Sequence, residues 1–191
     1  MHLKKNDYHG RIPDYWESGK AADRLRNTLE WKNASTIFVS PDTAMIKVRE
    51  NVLLDRKLLI MASPKLINGY LQIKANIVKG KEREASTIKG AFEYGEKIET
   101  FPNVDMVVEG SVAVDRNGGR LGKGRGYGDM EISFLLNKGV IGLKTPIVST
   151  VHQIQLIENV PLELHDRKIN MVVTPEHVIR IKNFNITINH N

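Results

Sequence analysis
Short apolar runs, each set between segments of helical periodicity, constrain this chain more than any other feature. Thr36-Ile-Phe-Val39 is one, Lys57-Leu-Leu-Ile-Met-Ala62 the next, and Val104-Asp-Met-Val-Val108, continuing through Ser111-Val-Ala-Val114, the strongest. Val140-Ile-Gly-Leu143, Ile147 to Val151 and Ile169 to Val173 follow. Strands apolar on both sides must be covered on both faces, which calls for a parallel sheet between helices. The helical segments are there. Ser18 to Lys32 sets Ala21, Ala22, Leu25 and Leu29 on one face, with Ser18 as N-cap. Ser40-Pro-Asp-Thr43 turns into a second helix ending near Asp55. Tyr70-Leu-Gln-Ile-Lys74 alternates like a strand, and Ala85 to Tyr94 reads as a helix. Tyr127 to Lys138 gathers Ile132, Leu135 and Leu136, and Gly139 suits the position just past a helix end. The pattern predicts a single α/β domain over residues 1–191, a three-layer α/β/α sandwich with a mostly parallel central sheet. Tails 1–10 and 183–191 are expected to be flexible. Ligands of such folds bind at the carboxyl ends of the strands.

At one such end stands Gly118-Gly-Arg-Leu-Gly-Lys-Gly-Arg-Gly-Tyr-Gly-Asp129, six glycines and three cations in twelve residues. Glycines at this density let a backbone approach a ligand, and Arg120, Lys123 and Arg125 select an anion. A strand, a glycine loop and a helix form a phosphate cradle of backbone amides at the positive end of the helix dipole. The spacing matches neither G-x-x-x-x-G-K-[ST] nor G-x-G-x-x-G, since the glycines run 122, 124, 126, 128 in steps of two. Asp129 is either an acid favoured in a helix's first turn or a Mg²⁺ ligand beside phosphate.

Composition removes several alternatives. A chain with no cysteine and no apolar leader is expected in the cytoplasm, without disulfides or thiolate chemistry. No apolar run nears the roughly 20 residues that span a bilayer. The net charge of +6 permits nucleic acid, but aromatics make up only 6% and none interleaves with a basic stripe, so a small polyanion is the expected partner. His152 and His165 lack zinc-ligand spacing. Asn33-Ala-Ser35 and Asn185-Ile-Thr187 match the glycosylation pattern by chance alone in a protein that is not secreted.

The segment VDMVVEGSVAVDRNGGRLGKGRGYGDME resembles the signature of the 5-formyltetrahydrofolate cyclo-ligase (methenyltetrahydrofolate synthetase) family, whose R-L-G-x-G-x-G-Y-Y-D pattern falls on Arg120 to Asp129. VPLELHDRKINMVVTPE resembles the family's proline, His-Asp and strand ending, and RKLLIMASP resembles another of its strands. GRIPDYW, SPDTAMIKVR and TVHQIQLIENVP are similar to the methenyltetrahydrofolate synthetase domain-containing branch. The resemblance implies a three-layer α/β/α fold. It also implies an ATP- and Mg²⁺-dependent ligase in which the γ-phosphate passes to the formyl oxygen of 5-formyltetrahydrofolate. Ring closure then gives the 5,10-methenyl form, ADP and phosphate, a chemistry of charge neutralisation and positioning.

Carried over on the same resemblance, Arg120, Leu121, Gly122, Lys123, Gly124, Arg125, Gly126, Tyr127 and Gly128 would form the ATP phosphate loop. Lys123 and Tyr127 would serve the reaction, and Asp129 and Asp166 would hold Mg²⁺. Tyr127 by itself also reads as an aromatic packed at a helix entry, and Asp166 as a turn-forming acid. Lys20 and Arg24 echo the family's N-terminal phosphate-reaching cations, with Arg11 and Arg49 as other candidates. Gly128 stands where the family has a second tyrosine, and Met45 and Ile46 where it has an acid for the pterin ring. Three readings remain: the ligase on a formylated reduced pterin, a non-catalytic nucleotide-binding module, and an RNA-associated protein. The small-molecule readings suit a monomer or a homodimer. Asp129→Ala is expected to remove metal-dependent nucleotide binding and to leave the fold intact.

Overall fold
The computed structural model describes residues 4, 8–163 and 166–181 of the chain. The expected tail 183–191, Asn185 and His165 lie outside them. Of the expected tail 1–10, Lys4 pairs with Asp14 at 3.0 Å and the Tyr8 hydroxyl donates to the Asp14 carbonyl at 2.6 Å.

The strands are β1 (Thr36–Val39), β2 (Leu58–Ala62), β3 (Tyr70–Ile73), β4 (Glu96–Ile98), β5 (Met106–Glu109), β6 (Ala113–Val114), β7 (Arg120–Leu121), β8 (Ile147–Thr150), β9 (Met171–Val173) and β10 (Val178–Arg180). Eight of them form one sheet in the order β10-β9-β8-β5-β1-β2-β3-β4. The run from β9 to β2 is parallel, while β10, β3 and β4 add antiparallel edges. The helices are α1 (Ser18–Arg26), α2 (Leu29–Asn33), α3 (Ile46–Leu54), α4 (Glu82–Ala85), α5 (Ile88–Tyr94) and α6 (Tyr127–Asn137).

Period-two alternation sorts each strand between two cores. Ile37, Val39, Leu59, Met61, Met106 and Val108 face Ala22 and Leu25 of α1 and Val48 and Val52 of α3. Phe38, Ile60, Val107, Ile147 and Val172 face Ile132 and Leu135 of α6. The result is the expected three-layer arrangement, with every residue of β1, β5, β8 and β9 buried.

Two threonines cut the helices that periodicity runs together. The Thr28 hydroxyl donates to the Leu25 carbonyl and accepts the Trp31 amide, ending α1 and starting α2. Thr87 does the same between Glu84 and Gly90, separating α4 from α5. In each case a hydroxyl that satisfies helix-end amides competes with continuing the helix. Ser18 is the first residue of α1, whose N-cap is Glu17. The long run from Val104 to Val114 also divides. β5 stops at Glu109, and β6 pairs with β7 in a separate hairpin, so Arg120 and Leu121 are strand residues. Asp115 ties the hairpin turn by accepting the amides of Asn117 and Gly119. Val140 to Leu143 is turn rather than strand.

Chain order reverses between β1 and β5, so a crevice opens beyond Ser40 and Gly110. Arg49 fixes one wall. It is 0% exposed and donates to the carbonyls of Ser40, Asp42 and Ser86, and burial lowers its pKa to about 10. Arg49→Met would strand these acceptors, and urea denaturation should show a loss of about 3 kcal/mol or more.

Candidate functional site
A cavity of about 1170 Å³ fills the crevice at the β1/β5 switch. Its walls come from the N-terminal segment (Tyr8, Arg11, Asp14), the loop after β1 (Ser40–Thr43) and the glycine segment. This volume exceeds the roughly 300–1,000 Å³ usual for one small ligand.

The glycine segment divides in two by what each glycine does. Gly124 (φ +83°) and Gly126 (φ +65°) need the left-handed region, and a Cβ at either would meet nothing within 4 Å. They leave the backbone bare against open space, as an anion cradle requires. Gly126 also precedes the first residue of the 11-residue α6, whose N-terminus has no side-chain cap, so its amides and its dipole point to the cradle. Gly128 has another task. A Cβ there would stand 3.0 Å from two nitrogens of the Arg120 guanidinium, which rests on this glycine.

Arg120 is 4% exposed and pairs with Asp129 Oδ1 at 2.7 Å. The same oxygen accepts the Arg167 amide at 3.0 Å. Burial by itself would lower the Arg120 pKa, but Glu109, Asp129 and Glu131 more than offset it. Beside this pair sit two carboxyl groups, Glu109 from the end of β5 (2% exposed) and Glu131 from the first turns of α6 (4% exposed). They hydrogen-bond each other, and burial raises both pKa values, that of Glu109 well above the glutamate range and that of Glu131 to about 8. Lys123 reaches across to Asp42 Oδ1 at 2.8 Å and joins the loop to the end of β1.

Most residues anticipated from sequence come together here: Arg120 to Asp129 and Asp166 all line the cavity. Their geometry differs in two respects from free phosphate-loop cations. Arg120 is internal, held by Asp129, and Lys123 already has an acid partner. The exposed cations that line the cavity without an acid partner among the described residues are Arg11, Lys65 and Arg125. Asp166 accepts the Glu163 amide at 2.7 Å. Lys20 and Arg24 are not brought to the cavity: Lys20 pairs with Glu17 on α1, and Arg24 donates to the Pro175 carbonyl. Met45 is fully buried in the core. His152 is buried too, its Nδ1 accepting the Ile154 amide. Sequence reading missed Glu109 and Glu131. The signal was a lone acid closing an otherwise apolar strand, Val107-Val-Glu109, and a second acid on the core side of an apolar helix.

Fold and site define a doubly wound α/β protein with an anion-receptive cavity at its switch point. The model of the 5-formyltetrahydrofolate cyclo-ligase family matches residues 9–175, and the chain belongs to that family. It is 34% identical over 179 residues to a methenyltetrahydrofolate synthase domain-containing protein of Bos taurus, covering 90% of this chain and 47% of that protein. The Homo sapiens protein of the same description is 32% identical over 179 residues, covering 90% and 46%. The chain thus spans about half the length of these curated relatives. A 5-formyltetrahydrofolate cyclo-ligase of Mycolicibacterium smegmatis is 30% identical over 81 residues, 42% of this chain and 39% of that one. Among solved structures, the Aquifex aeolicus 5,10-methenyltetrahydrofolate synthetase superimposes with a TM-score of 0.59 at 22% identity, over 91% of this chain and 86% of that one, which shows the shared fold.

Because Asp129 neutralises a buried guanidinium, the expectation that Asp129→Ala leaves the fold intact does not hold. Asp129→Asn should cost about 3–5 kcal/mol of stability, the usual result of breaking one side of a buried pair, as read from urea titration. The buried acids set a pH dependence. Glu131 binds its proton more tightly folded (pKa about 8) than at its ordinary value of 4.5. Its stabilising contribution is therefore full at acid pH and is lost as pH rises through this window. The urea midpoint of metal-free protein should fall between about pH 5 and about pH 9, and Glu131→Gln should flatten the curve.

Proposed function
We propose that the chain is an ATP- and Mg²⁺-dependent cyclo-ligase that converts 5-formyltetrahydrofolate, or a related formylated reduced pterin, to its 5,10-methenyl form. The observation that carries this reading is the bare backbone at Gly124 and Gly126, set before an uncapped helix and inside a cavity large enough for two ligands. Family membership supports it. ATP would supply the phosphoryl group that activates the formyl oxygen, with Mg²⁺ neutralising its phosphates.

The residues present suit both groups. Amides from Gly122 to Gly128 donate to phosphate oxygens, and Arg11, Lys65 and Arg125 add positive charge at the rim. Lys123 exchanges Asp42 for a phosphate oxygen, so anion binding loosens the tie between loop and β1. The described residues hold no group of three or more His, Cys, Asp or Glu side chains arranged for a metal. Asp129 and Asp166 in one cavity are still enough for Mg²⁺, which takes one or two carboxylates and leaves its other positions to phosphate and water. Tyr127 lines the cavity at the head of α6, next to the glycine cradle in the chain, where its ring would orient a second ligand.

A second reading, a nucleotide-binding module without turnover, is favoured by the Lys123–Asp42 pair, which opposes anion entry.

The two readings separate in one assay. Incubation of 5-formyltetrahydrofolate with Mg·ATP should give the methenyl absorbance and stoichiometric ADP. Nucleotide binding with no such product would establish the module instead. Lys123→Ala should weaken Mg·ATP binding by about 1–3 kcal/mol, measured by calorimetry.

A further inference from the structure
Asp42 and Lys123 both line the cavity and pair at 2.8 Å, but the two sides of the pair are held very differently. Asp42 is fixed. Its Oδ2 accepts the Ser40 hydroxyl at 3.1 Å, and that hydroxyl oxygen accepts the Gly110 amide at 3.1 Å. The buried guanidinium of Arg49 donates to the Asp42 carbonyl at 3.1 Å. Gly110 leaves room for the carboxylate, because a Cβ there would stand 2.8 Å from Asp42 Oδ2. Lys123 has no such hold. It stands between Gly122 and Gly124, the second of which has open space where a side chain would be. Among the described residues its ammonium bonds only Asp42. A four-carbon stem on such a backbone can turn to another anion, and the carboxylate cannot follow it.

An anion that takes Lys123 leaves behind a carboxylate whose side chain is only 14% exposed, with new negative charge beside it. Removing one partner of such a pair leaves a charge that binding has to compensate. Arg49 cannot do so, since its guanidinium already serves the carbonyls of Ser40, Asp42 and Ser86. A polyphosphate brings compensation with it in the divalent cation it carries at neutral pH. Oδ1, the oxygen that Lys123 gives up, offers one ligand atom. That suits Mg²⁺, which takes one or two carboxylates and keeps phosphate oxygens and water in its other positions. Asp129 is less available, because its Oδ1 already holds Arg120 at 2.7 Å and the Arg167 amide at 3.0 Å.

We infer that Asp42 and Lys123 form a charge-exchange pair: a polyphosphate takes Lys123, and Asp42 Oδ1, so freed, becomes a ligand of the divalent cation that the polyphosphate carries. This rests on the phosphate cradle of the reading above and not on its ring closure, and it adds a carboxylate to Asp129 and Asp166. Charge balances at each stage. One carboxylate–ammonium pair gives way to a phosphate–ammonium contact and a carboxylate–cation contact. The pair thereby discriminates between ligands of the same shape. A bare polyanion leaves Asp42 unpaired beside it, whereas the metal complex does not.

Calorimetry on the 191-residue chain tests this with inorganic tripolyphosphate and with ATP, each in Mg²⁺ and in EDTA. Wild type should bind both anions more tightly in Mg²⁺. Asp42→Asn keeps the side-chain shape and still accepts the Ser40 hydroxyl. In EDTA it should bind tripolyphosphate about tenfold more tightly than wild type, because Lys123 is released and the repulsion is gone. Its gain on adding Mg²⁺ should be smaller than that of wild type by about tenfold or more. Lys123→Met should do the reverse, binding more weakly in EDTA and keeping the gain from Mg²⁺. A merely structural role for the pair would move both media in the same direction. A gain from Mg²⁺ in Asp42→Asn within about twofold of wild type, or no tighter binding in EDTA, overturns the inference. If Asp42→Asn does not fold, Lys123→Met decides alone, and loss of its Mg²⁺ gain overturns the inference. If tripolyphosphate gives the expected pattern but ATP and 5-formyltetrahydrofolate give no methenyl product, the exchange pair stands and the ligase reading falls. If neither anion binds the wild type, both fall.

Discussion
The guanidinium of Arg120, buried between Asp129 and the bare Cα of Gly128, is what the rest of the site depends on. Desolvating a cation is costly, and a single carboxylate at 2.7 Å seldom compensates fully. Here the neighbouring carboxyl groups of Glu109 and Glu131 join Asp129 in favouring the charged guanidinium, whose pKa stays raised despite burial. The pair joins β7 to the first turn of α6 and so fixes where the hairpin leaves off and the helix starts. The loop between them, Gly122 to Gly126, is stretched over this anchor. Its glycines can be bare because its ends are not free.

The cavity has opposite characters at its two ends. At the rim, backbone amides, a helix N-terminus and three exposed cations make a surface for negative charge. Beside Arg120, the carboxyl groups of Glu109 and Glu131 are raised in pKa by burial. Lys123 and Asp42, both in the cavity lining, hold each other.

Sequence made the layers legible because both signals involved are local. Apolar runs such as Thr36 to Val39 can only be buried strands, and the glycine segment is too dense to be an ordinary turn. The edges of the sheet were harder to see. β4, Glu96–Ile98, is mostly exposed, and β10 offers only Val178 and Ile179, half-buried and held by pairing to β9, so the apolar run at each is short. Thr28 and Thr87 were hidden because a capping hydroxyl leaves helical spacing undisturbed. Within the site, charge type was legible and charge use was not. Arg120 reads as a ligand cation until Asp129 is seen beneath it, and Glu109 reads as a strand end until Glu131 is seen beside it. Those are contacts between residues 9 and 22 positions apart, and spacing in the sequence does not report them.

Gly128 has a consequence for how this site can change over generations. Its missing side chain is the space the Arg120 guanidinium occupies, with two nitrogens 3.0 Å from where a Cβ would stand. A side chain at that position requires the guanidinium to shift, and removing the arginine leaves Asp129 without its buried partner. Positions 120, 128 and 129 are therefore coupled, and the effect of a substitution at one depends on the residues at the other two.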